Sequence, residues 1–274
     1  MTASHFTIQP RIALLTKHGK QDILQPILAS EFNTSIIHTD SFDTDSLGTF
    51  DRRVERTLSP VGAALKKAYL ACELTGSSQG IGSEGSFNSF ITGATVNKEV
   101  LAFVDLKLNL EVIGFAEQFI GLQTLDAKNE VELGEKMQPF IERFGHAQKW
   151  MLYQNESWQK GLAFSDLLPL IQRWPCTIEP DFRAMNCPPR QQTIEMAARN
   201  LIECLKSHCP KCDAVNFVKK YDAESVQYLR CEFCASNTSK LAPAKVKCDN
   251  CGHIEHDSNA PETASMMYCM SCNP

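Results

Sequence analysis

The chain lacks any excess of positive charge. Its 27 Lys and Arg are outnumbered by 32 Asp and Glu, for a formal net charge of −5. That excludes a global electrostatic footprint for nucleic acid or an anionic membrane. Long apolar runs are missing too. None approaches the ~20 residues a membrane-spanning helix needs. The stretch from Met1 to Pro10 is polar and has no signal-peptide core. The expectation is a cytoplasmic protein with no membrane partner, for which nucleic acid is an unlikely one.

What is present is ordinary for a globular protein: 43% apolar and 22% charged residues in 274. Twelve cysteines stand out. Eight of them fall in Cys-x-x-Cys pairs near the C-terminus, and without a secretion signal metal is the better reading than disulfides. About 200 residues precede that region, enough for a real core. The expected organisation is an α/β ligand- or nucleotide-binding domain over 1–206 and a small cysteine-rich region over 207–274.

Within the first domain, the apolar run from Arg11 to Thr16 reads as a buried strand. A basic turn, Lys17-His18-Gly19-Lys20, leads into helical spacing from Gln21 to Glu31. Strand, turn and helix N-terminus together make an anion site, with Lys17 and Lys20 adding charge. The acidic loop from Asp40 to Asp51 offers carboxylates but matches no calcium-loop signature, so it reads as solvated. Ser59-Pro60 starts a helix that Gly76 ends. Two strand runs, Glu99 to Lys107 and Leu110 to Glu117, form a hairpin that carries Asp105.

Between that helix and the hairpin lies Gln79-Gly80-Ile81-Gly82-Ser83-Glu84-Gly85-Ser86-Phe87. It reads as a glycine turn at a strand end, presenting the Glu84 carboxylate with Ser83 and Gly85 beside it. Further on, Arg183 and Arg190 can grip a phosphate or carboxylate bidentately. They can also simply pair with Asp181 and Glu179, the favoured reading. A helix is expected from about Pro189 to Lys206.

The cysteine pairs are Cys209/Cys212, Cys231/Cys234, Cys248/Cys251 and Cys269/Cys272. The spacing C-x2-C-x18-C-x2-C followed by C-x2-C-x17-C-x2-C matches zinc ribbons. Two residues between thiolates let a tight knuckle offer both sulfurs to one tetrahedral ion, and four thiolates leave no position open for catalysis. Two structural zinc ions are expected. Pairing of neighbours in sequence is favoured over a crossed brace. His208, His253 and His256 are spare donors that eight cysteines make unnecessary. From Ser207 to Pro274 seven Lys/Arg meet eight Asp/Glu. With two thiolate-held zinc ions the region comes to about −5, a poor phosphate binder. Contact with a protein partner, or stapling of the C-terminus, fits better.

Two resemblances follow. Nearly the whole chain resembles a family of uncharacterised bacterial proteins, through its R-I-A-L-L-T-K-H-G-K run, its D-T-D-S-L-G-T-F, S-E-G-S-F and D-F-R-A-M-N segments and the paired-cysteine tail. Residues 11–120 are similar to the inosine/xanthosine triphosphatase group of nucleotide hydrolases. The similarity rests on Lys17-His18-Gly19-Lys20, Thr57-Leu58, Gly62-Ala63 with Lys67-Ala68, Gly82-Ser83-Glu84-Gly85-Ser86, Phe103-Val104-Asp105 and Gly114 to Phe119. It implies a mixed-sheet α/β fold with flanking helices and a nucleotide cleft. It also implies Mg²⁺-assisted attack of water on a triphosphate. Glu84 would then hold the metal or position the water, and Lys17 and Lys20 would hold phosphates. Asp105 as a catalytic group, and Ser83, Gly85, Arg183 and Arg190 as substrate contacts, complete the candidate site from the reading of the residues themselves. The chain departs from the group's pattern at Lys17, where the group has Asn, and at Ser86, where it has Gly. It also lacks a Ser-Pro near Gln118. The competing expectation is a non-catalytic interaction protein that docks a partner through its zinc region.

Overall fold

The computed structural model describes residues 6–42, 58–89, 95–218, 228–241, 246–255 and 261–273. Asp43, Asp45 and Asp51 of the acidic loop, Thr57, and His256 lie outside the described residues. The chain divides into two compact units, Thr7–Ile202 and Glu203–Pro274 with Met1–Phe6. It is a mixed α/β protein, with five α-helices and four sheets among the described residues.

The larger unit is built on a five-stranded sheet. Its strands are β1 (Arg11–Leu15), β2 (Ser35–Thr39), β3 (Gln79–Ser89), β4 (Thr95–Asp105) and β5 (Leu110–Phe119), in the order β2-β1-β3-β4-β5. β1 runs parallel to β2 and β3, while β3, β4 and β5 are antiparallel. β1 is inside the sheet, so Ile12, Ala13, Leu14 and Leu15 are all buried. This is why it reads as a continuous apolar run rather than an alternating one. Helix α1 (Lys20–Phe32) connects β1 to β2. Helix α2 (Pro60–Thr75) starts at Ser59, whose hydroxyl accepts from the Gly62 N–H at 3.1 Å, and ends at Gly76 with φ 70°. Both ends match the sequence expectation.

The glycine stretch is not a turn. Gln79 to Ser89 is a central strand paired along its whole length with β4, from Gln79 opposite Asp105 to Ser89 opposite Thr95. Its glycines allow close packing. A Cβ on Gly82 would lie 1.9 Å from the Ala64 carbonyl oxygen, and one on Gly80 would lie 2.5 Å from that of Ala68. The small residues Ala64, Ala68 and Cys72 of α2 therefore lie almost on the strand backbone, in a buried cluster with Ala102 and Val104. Alternation puts Gly80, Gly82 and Glu84 on this α2 face. Gln79, Ile81, Ser83 and Gly85 then point to the other face. There α5 (Pro188–Lys206) packs, and Leu201 of α5 would meet a Cβ on Gly114 of β5 at 2.5 Å.

A second sheet in this unit has the order β6-β9-β7-β8, formed by Leu125–Ala127, Cys176–Pro180, Trp150–Gln154 and Ser157–Leu162. Helices α3 (Glu130–Phe144) and α4 (Phe164–Leu170) cover its core of Leu133, Met137, Trp150, Leu152, Leu167 and Ile178. Phe87 of β3 stacks on Phe182 at 4.2 Å between ring centroids, and both pack against this core.

Among its described residues the smaller unit is built of short strands. β10 (Tyr228–Cys231) pairs with β11 (Asn237–Leu241) and with β14 (Thr263–Ala264), and β12 (Val246–Lys247) pairs with β13 (Ile254–Glu255). Among the described residues no helix is long and apolar enough to cross a membrane.

The packing of α2 on β3 is directly testable. Gly82→Ala forces a methyl into the α2 backbone and is expected to cost about 3 kcal/mol. Gly134→Ala, at a site in α3 with nothing within 4 Å of a new Cβ, is expected to stabilise by about 0.8 kcal/mol. Urea unfolding of both variants checks the contrast, and equal effects would contradict this packing.

Candidate functional site

The four Cys-x-x-Cys segments are built on one plan. In each, the carbonyl of the first Cys accepts a backbone hydrogen bond from the residue just after the second Cys. These donors are Asp213, Ala235, Gly252 and Asn273, at 2.8–3.0 Å. The first three close a hairpin, with the first Cys donating back to Ala214, Ser236 or His253. Asp213, Ala235 and Gly252 adopt left-handed φ of 59°, 58° and 70°. This turns the chain sharply enough to aim both sulfurs the same way. The fourth segment instead leaves a 3-10 turn, Met266–Tyr268, that Ser265 caps.

These knuckles bring the sulfurs together in two groups, Cys209, Cys212, Cys248 and Cys251, and Cys231, Cys234, Cys269 and Cys272. The first pair joins the third and the second joins the fourth. The expected pairing of sequence neighbours is thus corrected: the brace is crossed. Sγ–Sγ separations between the joined pairs are 3.7 Å for Cys209–Cys251, 3.6 Å for Cys212–Cys248, 4.0 Å for Cys231–Cys272 and 3.5 Å for Cys234–Cys269. A metal–sulfur bond of about 2.3 Å in a tetrahedron gives sulfurs about 3.8 Å apart. A disulfide would need about 2.05 Å. The donor set therefore fits a thiolate-held ion, and each group can hold one.

Electrostatics inside each group agree with that. The Asn250 side chain and the Ala214 N–H favour the Cys212 thiolate and draw its pKa down to about 6. The Ser236 side chain and N–H do the same for Cys234, also to about 6. Cys272 moves the other way, to about 12, because it shares hydrogen bonds with Cys234 and Cys269 in the same cage. Crowded sulfurs resist ionising together until a cation takes up their charge. Histidines are not needed as ligands. His208 contacts Asp213 at 3.1 Å, and His253 stacks on Phe217.

In the larger unit the structure brings several of the expected site residues together around Glu99. Ser83 and Gly85 face Lys20, Arg190 and Glu99. Lys20 Nζ donates to Ser83 Oγ at 2.8 Å and lies 3.4 Å from Glu99 Oε2. Arg190 Nε donates to Glu99 Oε1 at 2.7 Å, Arg190 Nη1 donates to the Phe182 carbonyl at 2.6 Å, and the guanidinium lies over the Phe87 ring. Asn97 also donates to Glu99 Oε1, at 3.1 Å. Burial pushes Lys20 down to about 8, with Glu99 opposing and Arg190 reinforcing the shift. Burial works against the Glu99 carboxylate, yet Arg190 and Lys20 hold its pKa below the usual carboxylate range.

Glu84, on the other side of the strand by alternation, pairs with Lys67 of α2, and both charges reach Lys20. Asp105 is five residues further along the paired strands, about 17 Å away at strand rise. It closes the β4–β5 turn, accepting from the Lys107 and Leu108 N–H groups at 2.9 and 3.2 Å, and from Gln79 Nε2 at 2.7 Å. Arg183 forms a fork on Asp181, as the favoured pairing had it, with Asn186 donating to the same carboxylate. Arg190 is paired with Glu99. Lys17 is exposed in the turn after β1. Sequence reasoning missed Glu99, Asn97 and Lys67. A trace was available for two of them: Asn97 and Glu99 alternate in step with Leu101 and Phe103, on a strand apolar on both faces.

Comparison with known proteins was made against this geometry. Residues 67–274 match the sequence model of a family described as Domain of unknown function (DUF6671). The chain belongs to the DUF6671 family. The matched segment runs from α2 through both four-cysteine groups of this DUF6671 protein. No curated protein and no solved structure matches the chain. The resemblance to the inosine/xanthosine triphosphatase group therefore gains no support from these comparisons.

The buried cluster gives a sharp expectation. Glu99→Gln removes the carboxylate charge that Arg190 and Lys20 share. Lys20 can shed a proton, but an arginine cannot. A loss of about 3–5 kcal/mol in denaturant unfolding is expected, and a change under 1 kcal/mol would contradict the assignment.

Proposed function

We propose that this DUF6671 protein is a non-catalytic interaction protein. In this reading two structural zinc ions hold its C-terminal unit in a form that docks a partner, and the α/β unit is the scaffold that carries it. The observation that supports this best is the pair of crossed four-cysteine groups with tetrahedral sulfur spacing. Four soft thiolates suit zinc, and four protein ligands leave no open position for a substrate or an activated water. Cys209, Cys212, Cys248 and Cys251 would hold one ion, and Cys231, Cys234, Cys269 and Cys272 the other. Bound zinc supplies cross-links and no reaction step. Among its described residues the smaller unit has few large buried side chains to replace them. Buried hydrophobic residues of its first group amount to Cys209, Cys248 and Phe217, and a segment with so little core needs staples.

A nucleotide-hydrolase reading has less behind it. The carboxylate it would assign to magnesium, Glu84, is ion-paired with Lys67, and the cations it would assign to phosphates, Lys20 and Arg190, are paired with Glu99.

Metal removal under reducing conditions tests the proposal. Elemental analysis is expected to give zinc at two ions per chain. Chelation is expected to abolish amide-exchange protection around the cysteine segments while leaving that of Thr7–Ile202 in place. Iron in place of zinc, unchanged protection after chelation, or pyrophosphate release that Glu84→Gln abolishes would overturn it.

A further inference from the structure

The two four-cysteine groups present different surfaces. Around the first, the residues between paired cysteines are Pro210 and Lys211, and Asp249 and Asn250. Around the second they include Phe233 and Met270, which are 77% and 75% exposed. Met267, 65% exposed, and Met266 join them from the 3-10 turn leading into Cys269. Phe233 adjoins Cys234 and Met270 adjoins Cys269, whose sulfurs are 3.5 Å apart, so these side chains flank one site. The turn is fixed to the facing knuckle. The Met266 N–H donates to Glu232 Oε1 at 3.4 Å, and Asn273 Nδ2 donates to the Met267 carbonyl at 3.2 Å. Large apolar side chains grouped on a polar unit mark an interaction surface. Methionine's flexible thioether lets such a surface adapt to its occupant.

Charge selects among occupants. In the segments that form this site, Arg230 and Lys240 offset Glu232 and Glu262. Four thiolates on one divalent ion then leave the site at −2. Lys240 is also turned inward, lying over the Tyr268 ring at 4.2 Å. Nucleic-acid phosphates and anionic lipids are repelled by such a face. We infer that the Phe233–Met267–Met270 face around the second four-cysteine group docks a basic amphipathic segment of a partner protein. Apolar anchors of that segment lie on the methionines and Phe233, and its Lys or Arg side chains meet the thiolate-held charge. This rests on the reading of the C-terminal unit as metal-stapled.

The test uses the full-length, zinc-loaded protein and three fluorescent helical peptides of identical length and apolar pattern, with a polar face of Lys/Arg, of Asp/Glu or of Gln. The basic peptide is expected to bind at least about tenfold tighter than the acidic one, a difference of about 1.4 kcal/mol, and to weaken with added salt. Phe233→Ser with Met270→Ser is expected to weaken it about tenfold or more at unchanged zinc content, and Met267→Ser alone to weaken it in part. No binding, equal binding of the acidic peptide, or insensitivity to these substitutions would overturn the inference. So would a dimer in sedimentation that the double variant converts to monomer, since the occupant would then be a second copy. Zinc content measured on the same samples separates the failures. Absent zinc removes the stapled reading itself, whereas full zinc without peptide binding removes only this one.

Discussion

Four thiolates within 4.8 Å of one another cannot all be ionised without a cation among them. That constraint organises the C-terminal unit of this protein. It demands knuckles that aim paired sulfurs in one direction, which the repeated five-residue turn provides. It also demands that two knuckles meet, and here they meet across about 40 residues of chain rather than between neighbours. Parallel pairing of β14 on β10, with Cys231 opposite Ala264, brings the last knuckle to the second. The β12–β13 hairpin falls between them in sequence, and its Cys248 packs with Cys209 and Phe217. An ion in each group would tie together segments that the other also encloses, so neither cage would close an isolated loop.

In the larger unit the governing constraint is a strand squeezed from both sides. β3 takes small residues of α2 on one face and a charged cluster on the other. Only glycine tolerates the first contact. Gly85 makes room for the second, since a Cβ there would lie 2.3 Å from Glu99 Oε1 and 2.4 Å from Arg190 Nη2. One buried carboxylate thus joins α1 through Lys20, β4 through Asn97, and α5 through Arg190. The Arg190 bond to the Phe182 carbonyl and the Phe87–Phe182 stack carry the connection to the second sheet. Such a cluster contributes specificity of assembly at a desolvation cost, as buried ion networks do.

Most of the larger unit was legible in the sequence where one period dominated. β1, α2 and the β4–β5 hairpin have clear apolar patterns, and Ser59 and Gly76 mark the ends of α2. The stretch from Gln79 to Phe87 was misread because three glycines and two serines look like a turn, when what the glycines record is the closeness of a helix that the sequence places earlier. Asp105 looked chemical because it interrupts an apolar strand, but it closes the turn that follows. Arg190 and Glu99 are 91 residues apart, and local pattern does not show such a pairing. The eight cysteines that form the two groups were legible, because knuckle chemistry is local. Their pairing was not. Doubling a loop changes its closure entropy by only about 0.6 kcal/mol, so spacing hardly separates neighbour from crossed closure. The short strand pairings and the Phe217 packing that decide it leave little trace in composition.

Metal stoichiometry in two double variants addresses the crossed brace most directly. Cys209→Ser with Cys248→Ser removes ligands from one group, and Cys209→Ser with Cys231→Ser removes one from each. Native mass spectrometry of the zinc-loaded proteins is predicted to find one ion on the first variant and none on the second. One ion on the second variant and none on the first would show pairing of sequence neighbours and contradict this account.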